Sequence, residues 1–307
     1  MNQTYVDTVR LLLLVAPHVF DSDRLGLKGG TALNLFVHDM PRLSVDIDVV
    51  FLDHSLPRET AIAAIGEELA RIKGTLEKLG LTVAIPANQV GEEVKLVVSA
   101  GAAQVKVEVN QVFRGSVLTP ESRNLVQAAE DLFTTSVALP VLAVPELYGS
   151  KLVAAFDRQH PRDWFDVLHM RQRQQLTPDV LDCFVAYLAG HNRPVHEVLF
   201  PSIKPMRAVF ESEFAGMTLE DMPFAQIDDA RTTTLAELPK LLSGNQREFL
   251  LSLLRAQPRW DLMPFRQLPD LPALRWKLQN LEKLKSRNKR KFVDQHDELQ
   301  ARLDGAQ

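Results

Sequence analysis

Apolar residues recur at helical spacing over residues 4 to 19, and the turn "DSDRLG" follows them. "LKGGTALNLFVHD" then resumes helical spacing through Leu33, Phe36 and Val37, so "GGT" sits where a helix begins. After Pro41 the period changes. In "LSVDIDVVFL" Val45, Ile47 and Val49 share one face of a strand, and Ser44, Asp46 and Asp48 share the other. Residues 57 to 79 predict a long helix. "LTVAI", "EVKLVVSA" and "QVKVEVNQVF" predict strands separated by "PANQVGE" and "GAA". In the last of these, Val105, Val107 and Val109 oppose Lys106, Glu108 and Asn110, which makes Glu108 a candidate to join the two aspartates.

From "VPELYGSKLVAAFDRQHPRDWFDVLHM" onward the period-two pattern fades into helices broken by prolines, around 177–190, 194–200, 235–256 and 268–301. The fold class this predicts is α+β, a mixed β-sheet flanked by helices and followed by a mostly helical C-terminal domain. The composition shifts near Pro140 to Pro145, so the expected domains are residues 1–140 and 141–307.

Composition narrows the field modestly. A chain of 307 residues, 46% hydrophobic and 24% charged, can bury a sizeable core. A net charge of −4 and a pI near 6.1 exclude a globally basic nucleic-acid binder, though not local basic patches. The single cysteine, Cys183, lies in an apolar helical pattern and reads as a core residue. It excludes an internal disulfide and fits a reducing compartment. "VRLLLLVAPHVF" is too short to span a bilayer and lacks a signal-peptide cleavage pattern, so a soluble cytoplasmic protein without membrane contact is expected. The eight histidines show no paired metal-ligand spacing, and His38, His160 and His169 read as loop or helix-face residues. Neither a G-x-S-x-G elbow nor a P-loop lysine pattern is present.

The chemistry concentrates in "LKGGTALNLFVHDMPRLSVDIDVVFLD". Two carboxylates one residue apart on a strand lie about 7 Å apart at their backbones, and both side chains can reach one divalent cation. Mg2+ takes one or two protein carboxylates together with substrate phosphates, so Asp46 and Asp48 suit nucleotide chemistry better than a closed metal cage. Gly29, Gly30 and Thr31 are the candidate phosphate cradle. Glycine admits close backbone approach, a helix N-terminus directs N–H groups and a positive dipole end outward, and the threonine hydroxyl is a further donor. Taken singly, "GGT" also reads as an ordinary turn and "DxD" as a solvated strand face.

"KGGTALNLF…PRLSVDIDVVF" resembles the opening motif of the AbiEii-like nucleotidyltransferase toxins, a branch of the DNA polymerase β-like superfamily that includes the mycobacterial MenT-type toxins. "PELYGSKLVAAFDRQHPRDWFDVLHM" is similar to that family's later motifs, a lysine in a "K-L-x-A-A" helix followed by "R-D-x-x-D". The resemblance implies a nucleotidyltransferase-like sheet and a Mg2+-dependent enzyme, with Mn2+ as the alternative ion. Such an enzyme would move a nucleoside monophosphate from an NTP to an RNA hydroxyl, at the tRNA acceptor end, and release pyrophosphate. It further implies a toxin of a toxin–antitoxin or abortive-infection system active in phage defence, with a cognate antitoxin protein as partner. The first domain would then carry the metal and phosphate site, and the second would complete it and contact RNA or a partner.

Asp46 and Asp48 would hold the metal, and Gly29, Gly30 and Thr31 the phosphates. Lys151 would open an amphipathic helix with Leu152, Ala155 and Phe156 and neutralise the triphosphate; its competing reading is a surface lysine. Asp166 would complete the site. Asp163 would either be an acid favoured by the helix dipole or hold Arg162 or Lys151 in place, on a helix that the proline of "RQHP" starts. Glu108 would be the superfamily's third carboxylate or part of a polar strand face. Arg42 and Ser44 would contact phosphate or brace the loop.

Two other classes stay open: a protein-modifying nucleotidyl- or phosphotransferase of the same fold, and a non-enzymatic nucleotide-binding module. The C-terminal helix spaces Leu274, Leu278, Leu281 and Leu284 as a stripe, while Arg275 to Lys291 holds eight basic residues against one acid. That run reads as a contact for a tRNA backbone, a solvated face, or a partner for the acidic stretch Glu211 to Glu237.

Overall fold

The computed structural model describes residues 2–86 and 93–306; the loop expected over "PANQVGE" lies, from 87 to 92, outside the described residues. The chain forms two compact units, residues 1–147 with 215–221, and residues 148–214 with 222–307.

The first unit opens with α1 (Gln3–Val19), capped by the Asn2 side chain, which accepts from the Thr4 N–H at 3.0 Å. Next come β1 (Leu25–Lys28), α2 (Gly29–Phe36), β2 (Asp46–Phe51) and α3 (Arg58–Lys78). They are followed by β3 (Thr82–Ala84), β4 (Glu93–Ala100), β5 (Ala103–Asn110), β6 (Glu121–Asn124), α4 (Gln127–Phe133) and β7 (Ala138–Val141). The strands form one mixed sheet in the order β3-β4-β5-β2-β1-β7-β6.

The period-two readings hold within the strands: Ile47 and Val49 of β2 and Val105, Val107 and Val109 of β5 are buried, while Asp46, Asp48 and Glu108 are half-buried. They fail just before β2, which begins at Asp46: Ser44, expected on the polar face, is buried, and Val45, expected on the core face, is half-buried, because both lie in the loop and not in the strand. Because β2 and β5 are parallel, with Asp46 opposite Lys106 and Asp48 opposite Glu108, their apolar positions share one face and their charged positions the other.

Four elements of this unit were not anticipated. β1 begins inside the stretch read as a turn; its four residues are too few to declare a period, and burial of Leu25, Gly26 and Leu27 decides it. β6 is a polar edge strand, "ESRN", pairing only with β7 in the sheet order, and the short α4 links those two strands.

The second unit is helical. α5 (Val144–Arg158) carries the chain into it, and α6 (Pro161–Gln172) and α7 (Pro178–Ala189) both start on proline, whose fixed φ and missing N–H suit the first helical position. α8 (Val195–Leu199), α9 (Arg207–Glu213), α10 (Phe224–Leu241), α11 (Gly244–Leu254), α12 (Pro272–Arg287) and α13 (Lys289–Gly305) complete it. Its core gathers Phe156, Trp164 and Phe184, with ring centroids 5.8 and 5.6 Å from Phe156. α5 and α7 meet at Gly149, where a Cβ would fall 2.6 Å from the Cβ of Cys183 and 2.6 Å from the Phe184 amide nitrogen. Cys183 is thus a buried core residue, as expected.

Two long helices expected here are each broken. The segment 235–256 divides at Ser243, which forms a capping box with Gln246 and begins α11. The segment 268–301 divides at Asn288, whose N–H bonds to the Leu284 carbonyl and whose Oδ1 accepts from Lys291 N–H at 3.0 Å. One side chain that caps so well competes with helix continuation, which apolar spacing alone does not reveal.

Candidate active site

In the first unit the site is built where β1 hands over to α2. Lys28 is extended, and Gly29 turns into the helix at a φ of +75°, a conformation L side chains rarely adopt. A Cβ on Gly29 would lie 1.9 Å from Asp48 Oδ2, so the carboxylate occupies the space a side chain would fill. At Gly30 a Cβ would lie 2.8 Å from Arg42 Nη2 and 3.0 Å from Ser44 Oγ. The helix N-terminus has no side-chain cap. Its first-turn N–H groups and positive dipole end are therefore available to an anion.

The remaining groups brace this corner. The Thr31 hydroxyl donates to the Asp46 carbonyl at 2.5 Å, so its one proton ties α2 to β2. Asn34 Nδ2 donates to the Gly30 carbonyl at 2.9 Å. Arg42 is buried and donates from Nη1 to the Leu43 carbonyl at 2.9 Å; its main chain bridges to Thr218, and Leu43 N–H bonds to Met217. Residues 215–221 thereby support the loop that carries Arg42 and Ser44, a contribution with no motif in the sequence.

Strand register sets the electrostatics. Lys28 stands opposite Asp48 across β1 and β2, Asp48 opposite Glu108 across β2 and β5, and Glu108 opposite Lys95 across β5 and β4. Each carboxylate in this row thus has a cross-strand lysine neighbour, and Lys95 Nζ donates to Glu108 Oε1 at 2.8 Å. Lys28, Lys95 and Lys106 were not singled out from sequence, since only the pairing of separate strands brings them here.

The donor set suits a hard cation. Asp46 and Asp48 supply carboxylate oxygens on one strand face beside a glycine corner, the ligand type Mg2+ prefers. Among the described residues no group of three or more His, Cys, Asp or Glu gathers as a metal cage. Two carboxylates with coordination left over for water and phosphate match a catalytic site rather than a closed structural one.

The second unit holds a distinct charged cluster. Lys151 lies two turns into α5 rather than opening it, because the helix begins at Val144. It is 6% exposed, which excludes the surface-lysine reading. Its Nζ lies 3.0 Å from Asp163 Oδ1 and 3.0 Å from Asp166 Oδ2, both carboxylates buried on α6. Arg158 grips Asp163 with two parallel bonds, Nε to Oδ2 at 2.6 Å and Nη2 to Oδ1 at 2.9 Å. Burial pushes the Asp163 carboxyl up, but the charges and hydrogen bonds of Lys151 and Arg158 outweigh it and hold the group well below the usual carboxylate range. The cluster is a set of two cationic and two carboxylate side chains whose charges offset one another.

Arg158 was missed from sequence; its position five residues before Asp163, across the α5–α6 turn, was the available signal. Arg162 is half-buried beside it, and its N–H donates to Nδ1 of His160, which caps α6. Burial pushes the His160 imidazole down, in keeping with a neutral capping acceptor.

The basic C-terminal run divides along the two helices it occupies. Lys277 is buried in α12 and donates to the carbonyls of His191 and Arg193 at 2.8 and 2.6 Å, so it belongs to packing rather than to a charged face. Lys283, Lys285, Lys289, Arg290 and Lys291 are exposed.

Residues 10–280 match the family described as "Nucleotidyl transferase AbiEii toxin, Type IV TA system". The chain belongs to this family. An AbiEii protein is a nucleotidyltransferase toxin of a type IV toxin–antitoxin system, and this chain carries that enzyme class, with an NTP as substrate and an antitoxin as partner. Among solved structures it is similar to MenT4, a nucleotidyltransferase toxin from Mycobacterium tuberculosis H37Rv. The TM-score is 0.61 and the identity 18%, over 89% of this chain and 95% of that one. That likeness supports the fold, a mixed sheet of nucleotidyltransferase type followed by helices. No curated protein matches. No helix among the described residues is long and apolar enough to cross a membrane.

Proposed function

We propose that this AbiEii-family toxin is a Mg2+-dependent enzyme that transfers a nucleoside monophosphate from an NTP to an RNA hydroxyl at the tRNA acceptor end. The reading extends to action in the cytoplasm as an abortive-infection device. The observation that carries it is the contact between Asp48 and Gly29. It sets the carboxylate that would hold the metal against an uncapped helix N-terminus, so cation and phosphate would share one corner.

In this reading Asp46 and Asp48 hold the Mg2+, which when bound neutralises charge on the triphosphate. Gly29 and Gly30 present main-chain N–H groups to phosphate oxygens. Arg42 and Ser44 line the Gly30 side of the cradle, and Thr31 fixes the cradle to β2. The RNA oxygen attacks the α-phosphorus, a new P–O bond forms, the bond to the β-phosphate oxygen breaks, and pyrophosphate leaves. Glu108, held by Lys95, accepts the hydroxyl proton. Lys151, held by Asp163 and Asp166, supplies positive charge to the triphosphate, and Arg162 adds to nucleotide binding; positioning and charge stabilisation are what nucleotidyl transfer chiefly requires.

The test presents α-labelled NTPs to the protein with intact tRNA, with tRNA whose terminal ribose has been oxidised by periodate, and with bulk cellular protein. Label in intact tRNA and its absence from oxidised tRNA support the reading. Label confined to protein would replace it with a protein-modifying transferase of the same fold.

A further inference from the structure

The basic run where α12 meets α13 has no role in the transfer chemistry described above. Between Glu282 and Asp294 the chain carries Lys283, Lys285, Arg287, Lys289, Arg290 and Lys291 and no acid. All of these cations are exposed, and Asn288, which ends α12 and caps α13, gathers them around one turn. Lys283, Lys285, Arg287, Lys289 and Lys291 reach no carboxylate among the described residues. Arg290, its side chain 92% exposed, lies 3.9 Å from Asp294, beyond hydrogen-bonding distance. Other exposed arginines of this unit behave differently: Arg259 pairs with Asp261 at 3.0 Å, Arg275 with Asp270 at 2.6 Å and Arg302 with Glu298 at 2.5 Å.

Local energetics disfavour the arrangement. Lys283 and Arg287 are like charges at i and i+4 on α12. Lys289, Arg290 and Lys291 fill the first turn of α13, where the helix dipole disfavours cations and no acid is present. The C-terminal dipole of α12 accounts for Lys285 and Arg287 but for none of those three. Nor do the cations serve the acidic stretch Glu211 to Glu237, where Glu213 pairs with His160, Asp228 with Arg231 and Glu237 with Arg171. Charges that weaken their own helices and meet no carboxylate among the described residues suit a polyanion from outside.

The aromatic rings beside the run narrow the class of polyanion. Lys283 Nζ lies 5.5 Å from the ring centroid of the exposed Trp276, and Lys285 Nζ 5.7 Å from that of the buried Phe292. Both rings are engaged by an ammonium, so the corner offers no bare platform for stacking bases and no free aromatic anchor for a lipid interface.

We propose that the α12–α13 corner binds the phosphodiester backbone of RNA, whatever its base sequence. The choice of RNA among polyanions rests on the transfer to RNA proposed above. The cations contact backbone phosphates and add affinity for the substrate, and they take no part in the chemistry.

The experiment compares three forms of the full chain: wild type, the triple variant Lys289→Gln, Arg290→Gln, Lys291→Gln, and Arg259→Gln as a control at an exposed arginine outside the run. Fluorescence anisotropy follows binding of tRNA, and of an RNA hairpin of unrelated sequence, at several salt concentrations. Steady-state labelling follows transfer from an α-labelled NTP to tRNA. The triple variant should melt no lower than wild type, bind both RNAs at least about tenfold more weakly, and show a salt slope shallower by about two to three. Its KM for tRNA should rise with the lost affinity while kcat stays at the wild-type value, and Arg259→Gln should match wild type throughout.

Unchanged RNA affinity and salt slope in the triple variant would overturn the proposal, whether or not tRNA is labelled. So would binding to phosphatidylserine vesicles or polyglutamate, in place of RNA, that depends on these three cations. RNA binding that depends on them, without labelling of any RNA, would uphold the surface and count against the transfer reading instead.

Discussion

Gly29 carries two constraints at once, a φ of +75° and an Asp48 oxygen where a Cβ would stand. Gly29→Ala should therefore lose nucleotidyl transfer by at least about 100-fold, because relief of the clash moves Asp48, and cost roughly 1–3 kcal/mol of stability. Activity assays and chemical denaturation measure the two effects separately. Asp163 is different in kind. Its folded carboxyl titrates below the ordinary value, so its contribution to stability is complete above about pH 4 and is lost as pH falls below that. Asp163→Asn should cost about 3 kcal/mol near neutrality. The gap from wild type in denaturant melts should close as the pH is lowered; a constant gap would show that Asp163 acts only by its shape. Asp46 and Asp48 were legible because alternation with Ile47 and Val49 exposes a strand's polar face. Arg158, Lys28 and Lys95 were not, since each is defined by a partner on another element.

The same contrast holds for elements. Helices α1, α3, α6 and α7 follow from apolar spacing and from capping or proline starts, all local signals. β1, β6 and β7 have four residues each, too few for periodicity, and owe their state to neighbours in the sheet. α12 shows how tertiary context recasts a charge: Lys277 looked like part of a basic face but reaches the carbonyls that follow α7. Burial lowers its pKa to about 8. Between that value and the unfolded value near 10.5, the unfolded chain binds more protons than the native one, so this residue makes stability rise with pH. The rise amounts to roughly 3 kcal/mol. Unfolding free energies at pH 7.5, 9 and 10 should show it in wild type and not in Lys277→Met. Gly149 marks another contact set by tertiary packing, where Gly149→Ala should push α5 from α7 and cost about 1–3 kcal/mol.

For the whole molecule, the order of motifs carried the most information. The glycine corner and Asp46-x-Asp48 come first, and Lys151 and Asp166 follow a hundred residues later, all within the residues 10–280 that match the AbiEii toxin family. The return of residues 215–221 to the first unit, where they support the Arg42 loop, leaves no trace in composition. The central claim is that Asp46 and Asp48 are the chemical centre of nucleotidyl transfer to RNA. It is tested most directly by incubating wild type, Asp46→Asn and Asp48→Asn with tRNA, Mg2+ and NTPs labelled at the α- or the γ-phosphate. The account predicts α-label in tRNA, γ-label only in released pyrophosphate, and at least a 100-fold loss in each variant, with melting temperatures within a few degrees of wild type. Transfer of γ-label, or undiminished transfer by both folded variants, would contradict it.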